Sequence, residues 1–338
     1  MSKTLIFDPS LRQRITNFIE SQNLIKTGQT IIVGCSGGPD SLFLLYLTKE
    51  FEATHQCTIL VAHLDHEWRT DSARDVLFCK ERAQELGLMF VTEKACNILL
   101  QKKVGGSVEE TGRLKRRAFF ASIATNYPDS IVALGHHADD QQETFFIRLL
   151  RGSGITGLAG IKPRDGNYIH PLLCCTKQEI IATLEKNNIP FLADPTNESD
   201  QFLRNRIRMQ VIPALRECDN RFDDSIKRTM DNLREADLFL NDHTKQLFEA
   251  CSEIQENRRM LELVQFLSFN PFMQKRVLLH WFIQEKVFFV PSDAFFEEVM
   301  RFIHNKKSNE HTFYQTWSIV KKAHTLAIKV HERVRDVP

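Results

Sequence analysis

A short loop of serine, glycine and aspartate carries the strongest chemical signal in this sequence. Residues Ser36 to Ser41 read S-G-G-P-D-S and stand between an apolar run and a helical pattern. Glycines let the backbone turn tightly and approach a ligand, and a helix start adds free N–H groups at its positive end. The loop therefore predicts a phosphate cradle, with a plain strand-to-helix turn as the alternative. It matches neither G-x-x-x-x-G-K-[ST] nor G-x-G-x-x-G, which argues against kinases, GTPases and dehydrogenases.

Two pairs of like-charged residues have the spacing of one helix face. Asp140 and Glu143 are three positions apart, and so are Arg113 and Arg116. Residues at this spacing are neighbours on a helix surface. Two carboxylates could hold Mg²⁺ or an ammonium group, while arginine binds phosphate and carboxylate in bidentate geometry. The alternatives are a solvated acidic face and ordinary surface arginines.

Two further groups of cations could position a nucleic acid. Arg204 and Arg208 lie four positions apart with Asn205 between them, which fits a patch that binds RNA phosphates. Arg148 and Arg151 end a helical pattern and precede a glycine-rich segment, which fits a flexible lid over a bound substrate. A charged helix between domains and an ordinary helix C-cap are the alternatives.

These residues need a scaffold that brings them together, and the apolar pattern predicts one. Four short apolar runs alternate with helical segments, as in a doubly wound α/β fold whose parallel sheet is covered on both faces. Ligands of such sheets bind beyond the carboxyl ends of the strands, where Ser36, Asp65 and His136 fall. The runs are 30–33, 58–62, 88–91 and 131–134, and the intervening helices are 41–54, 70–86 and 109–126.

A second, smaller domain follows. At 338 residues two domains are expected, and the pattern changes near Pro213. We expect a first domain over 1–216 and a mainly helical second domain over 217–338. From Arg301 to the end, eight Lys/Arg stand against three Asp/Glu, so a basic tail could meet a polyanion. The predicted elements are helices at 177–188, 224–251, 272–284 and 292–305, and a terminal β-hairpin of 312–320 and 325–330.

Composition narrows the class of protein. Apolar residues make up 42% and charged residues 26%, which is typical of a globular protein with a sizeable core. No stretch approaches the ~20 consecutive apolar residues of a membrane helix, and the N-terminus has no signal-peptide pattern. The eight cysteines include no C-x-x-C pair. We therefore expect a cytoplasmic protein with reduced thiols, no membrane partner and no zinc site.

The string S-G-G-x-D-S in this position resembles the pyrophosphate loop (PP-loop) of ATP pyrophosphatases, which form AMP and release pyrophosphate. Four further segments, in this order, resemble the tRNA(Ile)-lysidine synthetase family, and the resemblance extends over residues 29–216. The segments are HLDHEWR at 63–69, EETGRLKRR at 109–117, GHHADDQQETFFIRLLRGSG at 135–154, and DPTN at 194–197 with RNRIR at 204–208.

The resemblance implies an enzyme that ligates lysine to C2 of the wobble cytidine of a tRNA(Ile) with a CAU anticodon. ATP first adenylates the base and releases pyrophosphate, and lysine then expels AMP. Residues 1–216 would be the catalytic PP-loop domain, and 217–338 would recognise the tRNA. The implied ATP-binding residues are Ser36, Gly37, Gly38, Pro39, Asp40, Ser41, His63, Asp65 and His136, and Mg²⁺ would lie near Asp40. The implied catalytic residues are Asp40, Arg113, Arg116, Asp140 and Glu143, with lysine bound by Asp140 and Glu143 and tRNA by Arg148, Arg151, Arg204, Asn205 and Arg208.

Some alternatives remain, and the chain departs from the family pattern at several positions. Arg117 stands where an aromatic residue is usual, Glu67-Trp68 replace a glycine and a small apolar residue, and His170 stands where arginine is common. His136 could be a packed histidine or a phosphate contact. A tRNA thiolase is the nearest rival, although its usual C-x-x-C cysteines are missing, and a non-catalytic RNA-binding relative is the other. The oligomeric state stays open, with a homodimer as one option.

Overall fold

The computed structural model describes residues 6–68, 71–100, 108–192, 202–255, 258–287, 292–305, 309–313, 317–322 and 324–330. The chain divides into two compact units, Met1–Arg234 and Glu235–Pro338. The functional boundary predicted at residue 216 stays a prediction. No described helix is long and apolar enough to cross a membrane.

The first unit alternates strands and helices as the apolar runs predict. Each predicted strand and helix between residues 29 and 137 is present, with ends shifted by a few residues. The strands are β1 (Thr30–Gly34), β2 (Thr58–Asp65), β3 (Met89–Lys94), β4 (Ile131–Ala133), β5 (Arg164–Asp165) and β6 (Tyr168–Ile169). The helices are α1 (Pro9–Ser21), α2 (Pro39–Thr54), α3 (Ser72–Glu85), α4 (Val108–Ala124), α5 (Ala138–Leu150), α6 (Ile155–Leu158), α7 (Lys177–Lys186), α8 (Leu203–Arg206), α9 (Ile212–Cys218) and α10 (Phe222–Ala250), which continues into the second unit.

The sheet of the first unit has the strand order β3-β2-β1-β4-β6-β5. All neighbouring strands run parallel except β5, which pairs antiparallel with β6. The predicted doubly wound parallel sheet is therefore confirmed. Since β1 pairs with β2 on one side and with β4 on the other, the strand order changes direction at β1. The loops after β1 and β4 flank this switch point, which is where such sheets bind ligands.

The strands are apolar throughout because both faces of the sheet are covered. Ile31 and Val33 of β1 lie in one buried cluster with residues of α2, while Ile32 lies in a second cluster with Phe119 and Phe120 of α4. Successive side chains of a strand point to opposite faces, so this alternation requires a core on each side. The two cores fix β1 and therefore fix the loop that follows it.

The second unit combines helices with an antiparallel sheet. Its sheet order is β7-β8-β11-β10-β9, around a core that includes the fully buried Trp281. The predicted hairpin is present as β10 and β11, but the predicted strand 312–320 is two strands that pair with each other. Periodicity alone does not distinguish one long strand from two paired ones. The elements are β7 (Ser252–Gln255), β8 (Arg258–Glu262), α11 (Leu263–Ser268), α12 (Pro271–Gln284), α13 (Asp293–His304), β9 (Glu310–Phe313), β10 (Trp317–Lys322) and β11 (Thr325–Val330).

Candidate active site

The last serine of the loop between β1 and α2, Ser41, stabilises the turn of the loop through two hydrogen bonds. The buried Ser41 hydroxyl donates a hydrogen bond to the Gly38 carbonyl at 2.9 Å and accepts one from the Ser36 N–H at 3.1 Å. None of the described side chains caps the start of α2. The first turn of this helix therefore has backbone N–H groups that suit an anion at the loop. The exposed Ser36 lies at the mouth of the same turn.

The two glycines of the loop differ in whether their positions can accommodate a side chain. Gly37 has a φ of +81°, and a Cβ there would lie 2.6 Å from Cδ1 of Leu192, whereas a Cβ on Gly38 would meet only Ser36 Oγ at 3.6 Å. We expect Gly37→Ala to lower the free energy of unfolding by about 1–2 kcal/mol because a side chain is strained at positive φ. The matched Gly38→Ala variant should change it by less than about 0.5 kcal/mol. Urea denaturation measures both, and equal losses would contradict this account.

Asp40 in the first turn of α2 binds a cation from a distant part of the chain. Lys177 Nζ lies 2.6 and 2.7 Å from the two carboxylate oxygens of Asp40. The Lys177 backbone N–H donates to Asp139 at 2.8 Å, which docks the start of α7 on the start of α5. The sequence marked Lys177 only as the first residue of a helix opened by the Thr176–Glu179 capping box, which the structure contains. Lys177 is therefore a residue at the loop that sequence reasoning missed.

His137 lies between the carboxylates of the loop and those of α5. Its Nε2 is 3.7 Å from Asp40 Oδ1 and 3.4 Å from Asp140 Oδ2, and its Nδ1 is 3.5 Å from Asp139. Burial alone would lower the pKa of His137, but these carboxylates outweigh it and raise the pKa. Burial alone would raise the pKa of Asp139. The hydrogen bonds from His137 and the Lys177 N–H outweigh burial, so the pKa of Asp139 is lowered. The group is therefore a compact acidic centre with a histidine inside it whose protonated form the carboxylates favour.

Asp140 and Glu143 share a face of α5, as their spacing predicts, and two arginines contact them there. Arg204 donates from Nε to Glu143 at 2.6 Å and from Nη2 to Asp140 at 2.6 Å. Arg208 donates to both oxygens of Glu143, at 2.5 and 3.2 Å. Glu143 is only 1% exposed, so its charge depends on these partners. The residues predicted for lysine and those predicted for tRNA thus meet at one place.

Burial and neighbouring charge act oppositely on Asp140. Burial raises its pKa, while His137 and then Arg204 lower it, and the net pKa is below the usual value. The His137 backbone N–H also donates to Asp140 Oδ2 at 2.9 Å. Asp140 is therefore ionised near neutral pH and one of its oxygens is held by the helix start. Its other oxygen faces the Arg204 guanidinium.

The arginines of α4 lie beside the end of β2. Arg113 pairs with Glu110 one turn earlier on the same helix at 2.6 Å, and its side chain is half exposed. Arg116 Nη2 donates to His66 Nε2 at 3.4 Å. Burial, and then the charge of Arg116, lowers the pKa of His66 to about 4, so this ring accepts as a neutral imidazole. The two arginines therefore stand in different surroundings, and Arg116 is the one tied to the sheet edge.

The histidines and the aspartate that follow the strands are held by local contacts. His63 is buried on β2 and its Nδ1 donates to the Cys35 carbonyl at 2.8 Å. Asp65 accepts the Glu67 N–H at 2.9 Å. His136 packs edge-on against His170 with ring centroids 4.8 Å apart, and burial lowers its pKa to about 4. Two roles were considered for His136, a packed histidine and a phosphate contact. In the structure its ring packs against that of His170.

The chain was compared with known proteins. Residues 7–215 match the family model described as a PP-loop domain. The tRNA(Ile)-lysidine synthase of Chlorobaculum tepidum is 36% identical over 231 residues, which cover 68% of this chain and 70% of that protein. The chain belongs to the tRNA(Ile)-lysidine synthase family. The Bacillus cereus (strain ATCC 14579) tRNA(Ile)-lysidine synthase is 33% identical over 284 residues, 81% of this chain, and the chain spans 60% of that relative's length.

A solved structure supports the fold of this lysidine synthase family member. The U34-tRNA thiolase of Methanococcus maripaludis with its [4Fe-4S] cluster superposes with a TM-score of 0.56 at 17% identity. The superposition covers 67% of this chain and 80% of that chain. At this identity the likeness shows a shared fold and says nothing more about chemistry.

Of the remaining tRNA residues predicted from the lysidine synthase motifs, Arg148 and Arg151 lie next to the glycine segment after α5. Arg148 Nη1 donates to the carbonyls of Gly157 and Gly160, at 2.7 and 2.9 Å, and so ties this segment to the helix. Arg151 is exposed just beyond α5, and Asn205 is buried in α8. The DPTN motif at 194–197 lies outside the described residues. The predicted lid role of the segment stays a prediction.

Two departures from the lysidine synthase pattern have local explanations. Arg117 stacks its guanidinium over the Tyr168 ring at 4.8 Å, so an aromatic partner is supplied from β6. The His170 Nδ1 donates to the Lys162 carbonyl at 2.8 Å, and burial lowers the pKa of this ring. Both positions are therefore filled by residues with definite partners.

Proposed function

We propose that this chain ligates lysine to C2 of the wobble cytidine of a CAU-anticodon tRNA(Ile), using ATP and releasing AMP and pyrophosphate. One observation carries the proposal: His137 lies within 3.7 Å of Asp40 and 3.4 Å of Asp140. The phosphate loop and the acidic pair are therefore parts of one site. A site that binds a nucleotide phosphate beside a cation-binding pair of carboxylates fits an enzyme that joins an amine to an adenylated base.

In the first step the loop holds the phosphates of ATP. The first-turn N–H groups of α2 would donate to the phosphates, and the Lys177 ammonium adds a positive charge beside them. The C2 oxygen of the cytidine attacks the α-phosphate, and the bond to pyrophosphate breaks. Arg113 or Arg116 neutralises charge on the nucleotide or the activated base, and Arg116 is the one that already contacts the end of β2 through His66.

Asp40 fits a magnesium ion that arrives with ATP. Mg²⁺ is usually held by one or two carboxylates together with substrate phosphates. Asp40 is a partly exposed carboxylate at the phosphate loop, so its donor atoms suit such a site. The ion would supply charge neutralisation to the phosphates. Lys177 would release one Asp40 oxygen for it and keep its own charge near the pyrophosphate.

In the second step the acidic pair binds the lysine ammonium. The ammonium would take the place of a guanidinium on Glu143 and Asp140, and burial beside cations would favour loss of a proton from the amine. The freed amine attacks C2, the new C–N bond forms, and AMP leaves with the C2 oxygen. Arg204 and Arg208 are then left to bind an anion, and the reaction brings two, the lysine carboxylate and the tRNA phosphate.

The tRNA itself would be held mainly by its shape and backbone. Arg148 and Arg151 flank the glycine segment near the site, and residues 217–338 with their basic tail would contact the body of the RNA. We place the reaction in the cytoplasm, where ATP, lysine and tRNA occur together. The oligomeric state stays open.

Lys177 offers a test of the first step. We expect Lys177→Gln to lower kcat/KM for ATP by about 10- to 100-fold, because one charge that stabilises the leaving pyrophosphate is removed. Lys186→Gln, an exposed lysine at the other end of α7, is the matched control and should stay within about twofold. A normal kcat/KM for ATP in the Lys177→Gln variant would show that Lys177 does not act in the site.

Pyrophosphate release tests the function as a whole. Pure protein is incubated with ATP, Mg²⁺ and unmodified tRNA(Ile), and pyrophosphate is measured with and without lysine. The expected result is release that depends on the RNA and stops when the wobble cytidine is replaced by uridine. Release that is independent of RNA would contradict the proposal.

A further inference from the structure

An exposed tryptophan lies at the sheet edge in a place that none of the site residues uses. Trp68 follows β2 and is 58% exposed, which is unusual for so large an apolar ring. Its ring stacks on His66 with centroids 4.4 Å apart and an interplanar angle of 23°. Gly112 of α4 makes room for it, since a Cβ there would lie 2.8 Å from the Trp68 ring. The ring is thus held in a fixed orientation while more than half of it stays open.

A cavity of about 310 Å³ lies against this ring. Its lining includes His66, Trp68, Cys96, Gly112 and Lys115, which come from the ends of β2 and β3 and the first turns of α4. The lining is therefore aromatic on one side and polar on the other. A nucleobase has the same character, with a flat apolar face and a polar edge.

Two lysines and an arginine lie at this part of the sheet edge, together with the carboxylate of Glu67, which also lines the cavity. Arg116 donates to His66, on which Trp68 stacks, and Lys115 lines the cavity. Lys94 at the end of β3 is largely exposed and pairs with Glu67 at 3.0 Å. Aromatic platforms among lysines and arginines are the common way in which proteins bind unpaired RNA, since the cations follow the backbone and the ring stacks a base.

The position of the cavity distinguishes it from the nucleotide site. The phosphate loop follows β1, while the cavity lies at the ends of β2 and β3, one and two strands farther along the edge. Neighbouring strands are about 4.8 Å apart, so the cavity lies roughly 5–10 Å from the loop. His63 and Asp65, which the family resemblance puts beside ATP, are buried, whereas Trp68 is open to a larger ligand.

We propose that Trp68 and this cavity bind an unpaired base of the RNA substrate, a neighbour of the base that reacts. The base stacks on the Trp68 ring, and Lys115 and Arg116 lie near its phosphate. This inference rests on the proposed function, because it takes RNA as the substrate. It adds a binding site beside the residues proposed to act on ATP and lysine, and Arg116 adjoins both sites.

Three variants and an anticodon stem-loop RNA test the site. Trp68→Ala should raise KM for the RNA by about 10-fold, and Trp68→Phe, which keeps a stacking ring, by less than about threefold. KM for ATP should not change in either. Phe239→Ala is the matched control, because Phe239 is also an exposed ring stacked on a histidine, His243. It should bind the stem-loop normally, since this RNA lacks the tRNA body that residues 217–338 would contact. Thermal melting checks that the variants are folded.

Fluorescence gives a readout that does not depend on turnover. The other tryptophans, Trp281 and Trp317, are buried or half-buried and stay in every variant. RNA should quench the Trp68 signal, the quenching should be absent from Trp68→Phe, and an abasic substitution beside the wobble position should abolish it. Quenching by ATP alone, a raised KM for ATP, or an equal loss in Phe239→Ala would overturn the proposal. If the wild type binds RNA with Trp68 quenching but forms no lysidine, the proposed function fails while the base site stands.

Discussion

Asp40→Asn is expected to lower RNA-dependent pyrophosphate release by about 100- to 1,000-fold. Asparagine keeps the shape of the side chain but removes the charge that binds Lys177 through both carboxylate oxygens. It also removes a carboxylate at the loop that is proposed to hold the magnesium ion of ATP. Because the proposal assigns Asp40 to ATP, both pyrophosphate release and lysine transfer should fall together. Pyrophosphate assays and single-turnover lysine transfer measure the two effects.

The control for Asp40→Asn is the same substitution, aspartate to asparagine, in the first turn of a helix of the second unit. Asp293 occupies the first turn of α13 and pairs with Lys275, as Asp40 pairs with Lys177 in the first turn of α2. Asp293→Asn should leave both rates within about twofold. If a correctly folded Asp40→Asn protein kept more than a third of its pyrophosphate release, the assignment of the loop to ATP would be wrong.

Glu143→Gln should raise KM for lysine by about 100-fold while pyrophosphate release changes by less than about 10-fold. Glu143 is 1% exposed and accepts hydrogen bonds from Arg204 and Arg208, so it supplies the charge that a buried ammonium group needs. The neutral amide retains hydrogen bonding but not the charge. This variant separates the two proposed steps, because ATP binding and base activation are assigned to Asp40 rather than to Glu143. Initial rates over a range of lysine concentrations, with RNA and ATP saturating, give the KM.

A purely structural role for Glu143 gives a different result. Removing one partner of a buried ion pair destabilises a protein by about 3–5 kcal/mol, so thermal melting must accompany the kinetics. Glu249→Gln breaks an exposed pair with Arg259, at 2.6 Å in the second unit, and should leave the melting temperature and KM nearly unchanged. A lower melting temperature with an unchanged KM for lysine would assign Glu143 to stability alone.

The local parts of this molecule could be predicted from the sequence. The run Thr30-Ile31-Ile32-Val33 is a strand because both faces are covered, and the capping box at Thr176 opens α7 as its residue types predict. Asp140 and Glu143 share a helix face because their spacing fixes it. Each of these depends on neighbours within a few positions, which a sequence pattern records directly.

The pairings between distant segments could not be predicted in this way. Lys177 lies 137 positions after Asp40, and Arg204 lies 61 positions after Glu143, yet both pairs are in direct contact. Periodicity places a residue on a face but not opposite a partner from another element. The sequence pattern therefore predicts RNA contacts for Arg204 and Arg208, with a charged helix between the domains as the alternative, while the structure brings both onto the acidic pair.

Transfer of labelled lysine tests the central claim most directly. The pure protein is incubated with ATP, Mg²⁺, radiolabelled lysine and tRNA(Ile) with a CAU anticodon, and the RNA is recovered after treatment with base. The account predicts base-stable label on the RNA, in an amount equal to the AMP formed, which is lost when ATP is omitted or the wobble cytidine is replaced. Pyrophosphate release without label on the RNA would contradict lysine as the nucleophile, and the absence of both would contradict the enzyme itself.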